Sequence, residues 1–444
     1  MTVSIMKTKA EEGLTEAFGA VESRLPGGNS VRVRRRSAID VFETLGLPHR
    51  RIEEWKYTDL RGLMKENLAP AVGEKASVKA AEIEVALGAL AALDTHRVVF
   101  VNGALNAELS RFSGAKGLEI KSLGETLSEA QEKVVANLLP VPRDDDALAA
   151  LNTAFATDGA VMRVADGAEI DRPILLVFAR TGKAETAITT RNVVKIGDGA
   201  KVTLIEAFVS VAGAAANGQS NAATEIVVGK AAAVTHVKAT LDAGKAVHLA
   251  SCTAEIAAEA NYRAFQLTAG IALTRTNIFV TFTGEDAKLD CSGAFLARGN
   301  EHVDTTLVVD HAVPGCESRE LYKGVLDGHG RGIFQGKVIV RPDAQKTDGK
   351  QMAQVLMLSP DCEFDSKPEL EIYADDVVCG HGSTSAEIDP NLIFYCMSRG
   401  IPEAEARALL IESFIGEAIE KVEDEPVREA LMTIAAQLLN QRTA

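Results

Sequence analysis

A degenerate repeat constrains the fold of this chain more than any other feature of its sequence. Four copies of the pattern small-x-x-Ala-x-aliphatic-Thr/Asp begin at Ala165, Gly197, Gly229 and Gly284, at spacings of 32, 32 and 55 residues. They lie between about 160 and 372, where short Val, Ile and Thr runs alternate with Gly, Asp and Asn turns. This arrangement is typical of a β-solenoid, in which each coil stacks on the previous one. An antiparallel sandwich with chance similarity between turns is the alternative that the residues leave open.

The amino-acid composition favours the solenoid over the sandwich. Hydrophobic residues make up 46% of the 444 residues, but aromatic residues only 5%. A large core with so few rings must be built from Val, Ile, Leu and Ala, and such side chains form the ladders inside a solenoid. We therefore expect a mainly β fold with a solenoid at its centre.

The N-terminal third of the chain has a different pattern. Ser37 can cap a helix that ends at Gly46, and Val98–Val101 is typical of a strand that leads into an Asn-Gly turn. The polar segment 139–146 contains two prolines and marks a boundary with the repeat region. These features predict a mostly helical N-terminal domain, 1–145, followed by the solenoid, 146–385.

The C-terminus returns to helical periodicity. The segment 392–398 is apolar, Gly400 is placed as a helix C-cap, and Pro402 begins the next helix. Apolar residues then recur at spacings of 4, 3, 4, 3 and 4 along one helix face, and Phe414 widens it. The stripe consists of Ala404, Ala408, Ile411, Ile415, Ala418 and Val422. We expect a C-terminal helical domain, 386–444, that caps the solenoid or docks a partner.

The charge of the chain argues against nucleic acid as a partner. The formal net charge is −15, whereas phosphate binding requires a basic surface. The one basic run, at Arg32 and Arg34–Arg36, is short, and we expect it to form a solvated face. The sequence shows no apolar signal-peptide segment and no stretch near the ~20 apolar residues of a membrane span. These features predict a cytoplasmic chain without membrane contact.

Common nucleotide-binding, hydrolase and metal motifs are missing. The sequence has no G-x-x-x-x-G-K-[ST], no G-x-S-x-G and no H-E-x-x-H. Its six cysteines form no C-x-x-C pair, which excludes a zinc ribbon, a thioredoxin motif and a local ferredoxin-type cluster site. They are Cys252, Cys291, Cys316, Cys362, Cys379 and Cys396.

The most suggestive local group is Cys379-Gly-His381. On an extended strand, a thiol and an imidazole two residues apart face the same side. Thiolate and imidazole both suit soft or borderline metals such as iron and zinc. Two ligands are too few for a closed site, so further ligands would have to come from elsewhere in the fold or from another chain. A buried thiol beside a hydrogen-bonded imidazole is the structural alternative.

A second set of polar residues is His302, Asp304, Asp310, His311 and Cys316. The alternation around them predicts a strand with polar residues outward. We expect a structural role for this set.

Several sequence blocks together resemble the SufB/SufD family of the SUF iron–sulfur cluster assembly system. They are E-E-W-K-Y-T-D at 53–59, F-Q-G-K-V at 334–338, L-M-L-S at 356–359, K-P-E-L-E-I at 367–372, D-D-V-V-C-G-H-G at 375–382 and Y-C-M-S-R-G-I at 395–401. The helix from Ala404 to Ile419 continues the match. The chain length, the block at 53–59 and the absence of a cysteine-rich N-terminal motif favour the SufD branch over the SufB branch.

This resemblance implies a right-handed parallel β-helix between N- and C-terminal helical domains. It also implies a complex with a SufB-like paralogue, bound through the β-helix, and with a SufC-like ABC ATPase, bound through the C-terminal helices. The chain would then be a non-catalytic scaffold that couples ATPase motion to cluster assembly and iron acquisition. A homodimer of the isolated chain is a further possibility, since sheet edges are exposed.

The resemblance also implies roles for individual residues. Cys379 and His381 become ligands of a transient iron–sulfur cluster at the interface with the SufB-like partner, and whether the complex holds a flavin stays open. The residues expected to dock the ATPase are Arg399, Gly400, Ala408, Ile411, Phe414 and Ile415. Two other functions remain as alternatives: a β-solenoid adaptor without metal binding, and a β-helix carbohydrate-active enzyme, whose site needs acidic or basic side chains clustered along one face.

Overall fold

The fold is seen in a computed structural model that describes residues 6–73, 77–112, 114–129, 132–140 and 145–440. The centre is a parallel β-solenoid of about eight turns with helices at both ends of the chain. The predicted solenoid is therefore confirmed, and the antiparallel sandwich is wrong.

The strands are β1 Ala69–Pro70, β2 His96–Val101, β3 Ala104–Leu105, β4 Leu118–Ser122, β5 Ala160–Val164, β6 Ile174–Arg180, β7 Thr186–Ile196, β8 Lys201–Ser210, β9 Gln219–Val228, β10 Ala233–Leu241, β11 Gly244–Ile256, β12 Asn261–Ala269, β13 Ile271–Phe282, β14 Lys288–Ala297, β15 His302–His311, β16 Glu317–Leu326, β17 Arg331–Val340, β18 Asp348–Met357, β19 Glu363–Ile372 and β20 Val378–Ala386. The α-helices are α1 Lys9–Val21, α2 Asn29–Leu45, α3 Leu60–Leu63, α4 Ala80–Leu87, α5 Leu123–Glu129, α6 Glu132–Leu138, α7 Ala147–Phe155, α8 Pro390–Ser398, α9 Glu403–Ile419 and α10 Glu425–Asn440.

Two sheets form the walls of the solenoid. Sheet A has the order β19-β17-β15-β13-β11-β9-β7-β5-β4, and sheet B has the order β20-β18-β16-β14-β12-β10-β8-β6-β2-β3. From β5 onward the chain alternates between the sheets, and every pairing within a sheet there is parallel. β19 and β20 are the terminal strands of the two sheets, so the solenoid ends in a coil with one open side.

The strand register explains the irregular spacing of the sequence repeat. Ala233 pairs with Asn261, which pairs with Lys288. The 55-residue step therefore covers two coils, of 28 and 27 residues. The missing copy is the turn before β12, where Ala260 holds the place of the repeated alanine and Tyr262 that of the aliphatic residue. Because Tyr262 is aromatic, the pattern did not include it.

The repeated alanine fills the same corner position in four successive coils. Ala200, Ala232, Ala260 and Ala287 are all at most 1% exposed, and Cys316 takes the equivalent place in the next coil, just before β16. A column of small side chains lets successive turns stack closely. Cys316 is therefore part of the packing at this corner.

Helices cover the outer faces of both sheets. The apolar sides of α1, α2 and α7 pack against sheet A, and α4, α9 and α10 pack against sheet B. Arg35 belongs to this packing: it is fully buried and donates hydrogen bonds to the carbonyl oxygens of Ala154 and Ala156. The expectation of a solvated basic run is therefore wrong for Arg35.

The C-terminal stripe divides into two parts in the structure. Ile411, Ile415, Ala418 and Val422 are buried against the solenoid and α10, as the helical period predicts. Ala404 and Ala408 are exposed, although Ala406 between them is fully buried. None of the described helices has both the length and the apolar character needed to cross a bilayer.

Candidate metal-binding site at the open end of the solenoid

The last strand of sheet B carries the Cys-x-His pair. β20 pairs with β18 so that Cys379 lies opposite Gly349 and His381 opposite Gln351. On β18, Gly349 and Gln351 are buried while Lys350 between them is exposed. Because successive side chains of a strand point to opposite faces, positions 349 and 351 therefore face the interior of the solenoid. Cys379 and His381 therefore point toward the lumen of the outermost coil, where Cys379 is half-buried and His381 is exposed.

The surroundings of Cys379 are mostly apolar. Val338, Val340 and Leu370 belong to the cluster that packs with it. Burial raises the pKa of the thiol, and the backbone N–H of Gly349 offsets this only in part. The thiol therefore keeps its proton until a metal displaces it. In the described part of the chain, no group of three or more His, Cys, Asp or Glu side chains is arranged to hold a metal ion.

A row of inward-facing side chains runs from His381 into the solenoid. Gln351, Glu320 and Cys291 lie directly behind it, one strand apart at each step. Neighbouring strands are about 4.8 Å apart, so these side chains are near neighbours. Glu320 is 2% and Gln351 4% exposed. Among the described residues neither side chain makes a well-formed hydrogen bond, although Ser318 contacts the Glu320 carboxyl.

Sequence analysis missed Glu320 and Gln351. The sequence does contain a hint of them, because both are polar residues at inward-facing positions of strands whose other inward-facing residues are small or apolar. Recognising this signal requires knowing how strands about 30 residues apart in the sequence pair with each other, and a local sequence pattern does not give that register. Burial raises the pKa of the Glu320 carboxyl to about 8, and the nearby Ser318 and Arg319 oppose the rise.

The structure explains the glycine of the F-Q-G-K block. The amide nitrogen of Gln351 lies only 1.6 Å from where a Cβ on Gly336 would stand. Gly336 therefore leaves room for the Gln351 side chain to extend across the lumen from sheet B to sheet A. Beside it, the ring of Phe334 stacks on Tyr322 at 4.4 Å. Gln351 thus separates the deeper Glu320 from the open end.

A hydrogen-bonded network lies farther inside the same lumen. Glu206 Oε1 accepts a hydrogen bond from Thr224 Oγ1 at 2.8 Å and lies 3.2 Å from His236 Nε2, while His236 Nδ1 lies 2.8 Å from Tyr262 Oη. Burial alone would lower the pKa of His236, but contacts with Cys252 and Glu206 raise it to about 9. The network therefore holds a buried ion pair between Glu206 and His236.

The second polar set from the sequence is not brought together. His311 lies in the lumen, with Nε2 3.0 Å from Ser318 Oγ, while Asp310 pairs with Arg341 on the outer face. His302 and Asp304 lie under the N-terminal motif, away from His311.

The E-E-W-K-Y-T-D block docks on the outer face of sheet A. Thr58 Oγ1 donates a hydrogen bond to Asp304 and lies 2.8 Å from His302 Nε2. Arg275 forms an ion pair with Asp304 and lies 4.4 Å from the centre of the Trp55 ring. This block therefore ties the N-terminal segment to the solenoid.

The expected docking residues lie in two environments. Arg399 and Gly400 end α8 and are exposed, as is Ala408. Ile411 and Ile415 are 5% and 0% exposed because they pack against the solenoid, so within this chain they hold α9 in place and do not face outward.

Phe414 connects α9 to the solenoid wall. Lys323 of β16 lies 4.3 Å from the Phe414 ring centre and forms an ion pair with Glu417. Beside this contact, α8 and α9 expose large apolar side chains to solvent. They are Leu392, Phe394, Tyr395, Met397 and Leu409. This exposed surface, which we call the α8 patch, is a candidate protein interface.

Comparisons with known proteins agree with this architecture. The family model described as "SUF system FeS cluster assembly, SufBD core domain" matches residues 178–414, and the SufBD N-terminal region model matches residues 20–176. The chain is 30% identical to SufD of Escherichia coli, over 89% of this chain and 90% of that protein. It is also 30% identical to a SufBD family protein of Synechocystis, over 88% and 87% of the two lengths.

A more distant relative is SufD of Bacillus subtilis, which is 26% identical over 66% of each chain. The core model alone spans more than half of the 444 residues, and two relatives at 30% identity cover most of the chain. The chain therefore belongs to the SufBD family of SUF-system iron–sulfur cluster assembly proteins and is similar to SufD.

Proposed function

We propose that this chain is a scaffold subunit that supplies part of an iron–sulfur cluster site, with the remaining ligands supplied by a SufB-like partner. The observation that carries the proposal is the position of Cys379 and His381 on the terminal strand β20. Both side chains face a lumen that is open on one side. A thiol and an imidazole there can bind iron, but two ligands leave coordination positions for another protein.

The partner would bind at the open coil. β19 and β20 present backbone donors and acceptors along terminal strands, and terminal strands are sites where another chain adds by β-pairing. Ile372, Tyr373 and Val378 add exposed apolar area at this end, with exposed fractions of 42%, 59% and 61%. A SufB-like paralogue with an equivalent open coil is the partner that fits, and a homodimer of this chain is the competing assembly.

The α8 patch would dock a SufC-like ABC ATPase. Motion of the ATPase subunits would then reach the lumen through α9, because Phe414 and Glu417 hold Lys323 on β16. The same strand carries Glu320 on its inner face, in the row that leads to His381. We propose that this subunit works in the cytoplasm as a non-catalytic part of the assembly, and that ATPase closure exposes the ligands for iron and sulfide.

The test is cluster formation by the purified complex of this chain with SufB-like and SufC-like partners. His381→Ala should abolish the iron and acid-labile sulfide that co-purify with the complex, while the three proteins still elute together. His329→Ala is the matched control: the turn before β17 holds this residue, and the variant should leave the cluster content unchanged. A normal cluster content in His381→Ala would refute the site assignment.

Two other functions predict different results. An adaptor without metal binding would assemble with its partners but show no dependence of iron on Cys379 or His381. A carbohydrate-active enzyme would act on polysaccharide as an isolated chain.

A further inference from the structure

The strands that end the two sheets differ in how well they are protected against pairing with another chain. At one end of the solenoid, β3 and β4 have only two and five residues, and such short terminal strands offer little backbone to a neighbour. At the other end, β19 and β20 have ten and nine residues. β19 contains a proline and five charged residues, whereas β20 contains no Pro, Lys, Arg, Asp or Glu. β20 is therefore the long terminal strand that the usual protective features leave open.

The backbone of β19 turns an interrupted row of donors to its open edge. The amide of Glu363 donates a hydrogen bond to the carbonyl oxygen of Gly330, and the register with β17 has no shift, so the odd-numbered residues of β19 pair with β17. Alternate residues of a parallel strand turn their N–H and C=O groups to opposite neighbours, so the even-numbered residues face the open edge. Pro368 is one of these and has no N–H. A strand added to β19 would therefore lack a hydrogen bond near its centre.

The backbone of β20 turns an uninterrupted row to its open edge. The amide of Val378 donates to the carbonyl oxygen of Thr347, and the register with β18 is continuous, so the even-numbered residues of β20 pair with β18. The N–H and C=O groups of the odd-numbered residues face the open edge. These residues are Cys379, His381, Ser383 and Ser385. Among the described strands none pairs with this edge, so it offers four consecutive donor and acceptor positions to another strand.

The charges on β19 indicate which partner fits this end of the solenoid. Leu370 packs inside, so the residues of opposite parity face outward, and four of these five are acidic. They pair with cations of the preceding strand, as in Arg331 with Asp365 at 2.6 Å and Lys337 with Glu371 at 2.5 Å. A second copy joined end to end about a twofold axis would bring its own acidic row against this one. Like charges directly opposite are destabilising, so a paralogue with basic residues on the facing strand fits better.

We propose that β20 is the strand that joins this chain to its partner, through backbone hydrogen bonds to the terminal strand of a SufB-like paralogue that is basic where β19 is acidic. This inference rests on the proposed function and deepens it, because it names the pairing strand and the charge that disfavours a second copy. β19 then contacts the partner through side chains without a continuous ladder. The pairing strand also carries Cys379 and His381, so the register of pairing would determine which partner residues lie beside them.

The experiment compares two proline variants for their affinity toward a purified SufB-like partner. Ser383→Pro removes an N–H from the open edge of β20 and leaves a carbonyl oxygen of the partner unpaired, so it should weaken binding about tenfold or more. Ser366→Pro is the matched control, since it removes an N–H from the open edge of β19 and should leave the affinity unchanged. Neither N–H pairs within the chain, so both variants should keep the melting temperature of the isolated wild-type chain.

Hydrogen–deuterium exchange of the wild-type chain tests the same claim without a substitution. The amides of His381 and Ser383 should become protected when the SufB-like partner binds, whereas the amide of Ser366 should exchange as in the free chain. Equal protection of Ser366 and Ser383, or equal weakening by the two proline variants, would overturn the inference. A stable homodimer of the isolated chain with protected β20 amides would also overturn it, because a second copy would then occupy the edge.

The outcomes separate this inference from the proposed function. If the partner binds the wild-type chain but the β20 amides stay unprotected and Ser383→Pro binds normally, the inference is refuted and the shared site stands. If the partner does not bind the wild-type chain at all, both are refuted.

Discussion

Asp304 should be essential for holding the N-terminal motif on the solenoid. It is 0% exposed, and its ion-pair partner Arg275 is 1% exposed. Removing one charge of such a buried pair costs about 3–5 kcal/mol. In Asp304→Asn, Arg275 keeps hydrogen bonds to Asn277 Oδ1 at 2.8 Å and to the carbonyl oxygen of Glu54 at 2.9 Å. We therefore expect a loss near the lower end, about 3 kcal/mol, which is roughly a 150-fold change in the equilibrium.

The assay uses the fluorescence of Trp55, the only tryptophan in the chain. Its ring lies 4.4 Å from the Arg275 guanidinium, so its emission reports whether the motif is docked. In a guanidinium titration of Asp304→Asn, the Trp55 transition should move to lower denaturant and precede the loss of far-UV circular dichroism from the solenoid.

The control for Asp304→Asn is Glu317→Gln. It breaks an exposed ion pair with Lys288, whose side chains are 44% and 57% exposed, and such pairs contribute about 0–1 kcal/mol. If both variants shift the Trp55 midpoint by the same amount, the buried network does not hold the motif and our reasoning is wrong.

Two further predictions concern the coils and the lumen. Ala231 has φ +54° at the turn position where Gly199 has φ +65° one coil earlier. Ala231→Gly should therefore raise stability in thermal unfolding, and Gly199→Ala should lower it, each by about 1 kcal/mol. A fall for Ala231→Gly or a rise for Gly199→Ala would contradict this. The pKa of His236 is raised to about 9, so its charged form stabilises the fold below about pH 6.5, the unfolded value, and this contribution is lost as the pH rises to about 9. The melting temperature of His236→Gln should fall less than that of the wild type between pH 6.5 and 9, and parallel curves would rule out the ion pair with Glu206.

The sequence could predict what is repeated or local. The recurring alanine and its turn mark four of the coils, and the alternation in β20 places Cys379 and His381 on one face. The helical period of α9 correctly marks Ile411 and Ile415 as apolar contacts, but it also includes Ala404 and Ala408, which are exposed.

The parts that the sequence could not predict depend on contacts between distant segments. The row of Cys291, Glu320, Gln351 and His381 exists only through the register of strands about 30 residues apart. Arg35 appeared to be one charge of a solvated run, but its guanidinium caps the end of α7 from inside the fold.

The claim that His381 belongs to a shared cluster site can be tested on the cluster itself. This chain would be labelled with ¹⁵N-histidine, assembled with unlabelled SufB-like and SufC-like partners and loaded with iron and sulfide, and the reduced cluster would be measured by pulsed electron paramagnetic resonance. We predict a ¹⁵N coupling to the cluster that disappears in His381→Ala when the complex stays intact. A cluster that forms without any ¹⁵N coupling, or with a coupling that His381→Ala leaves unchanged, would contradict the proposed role of His381.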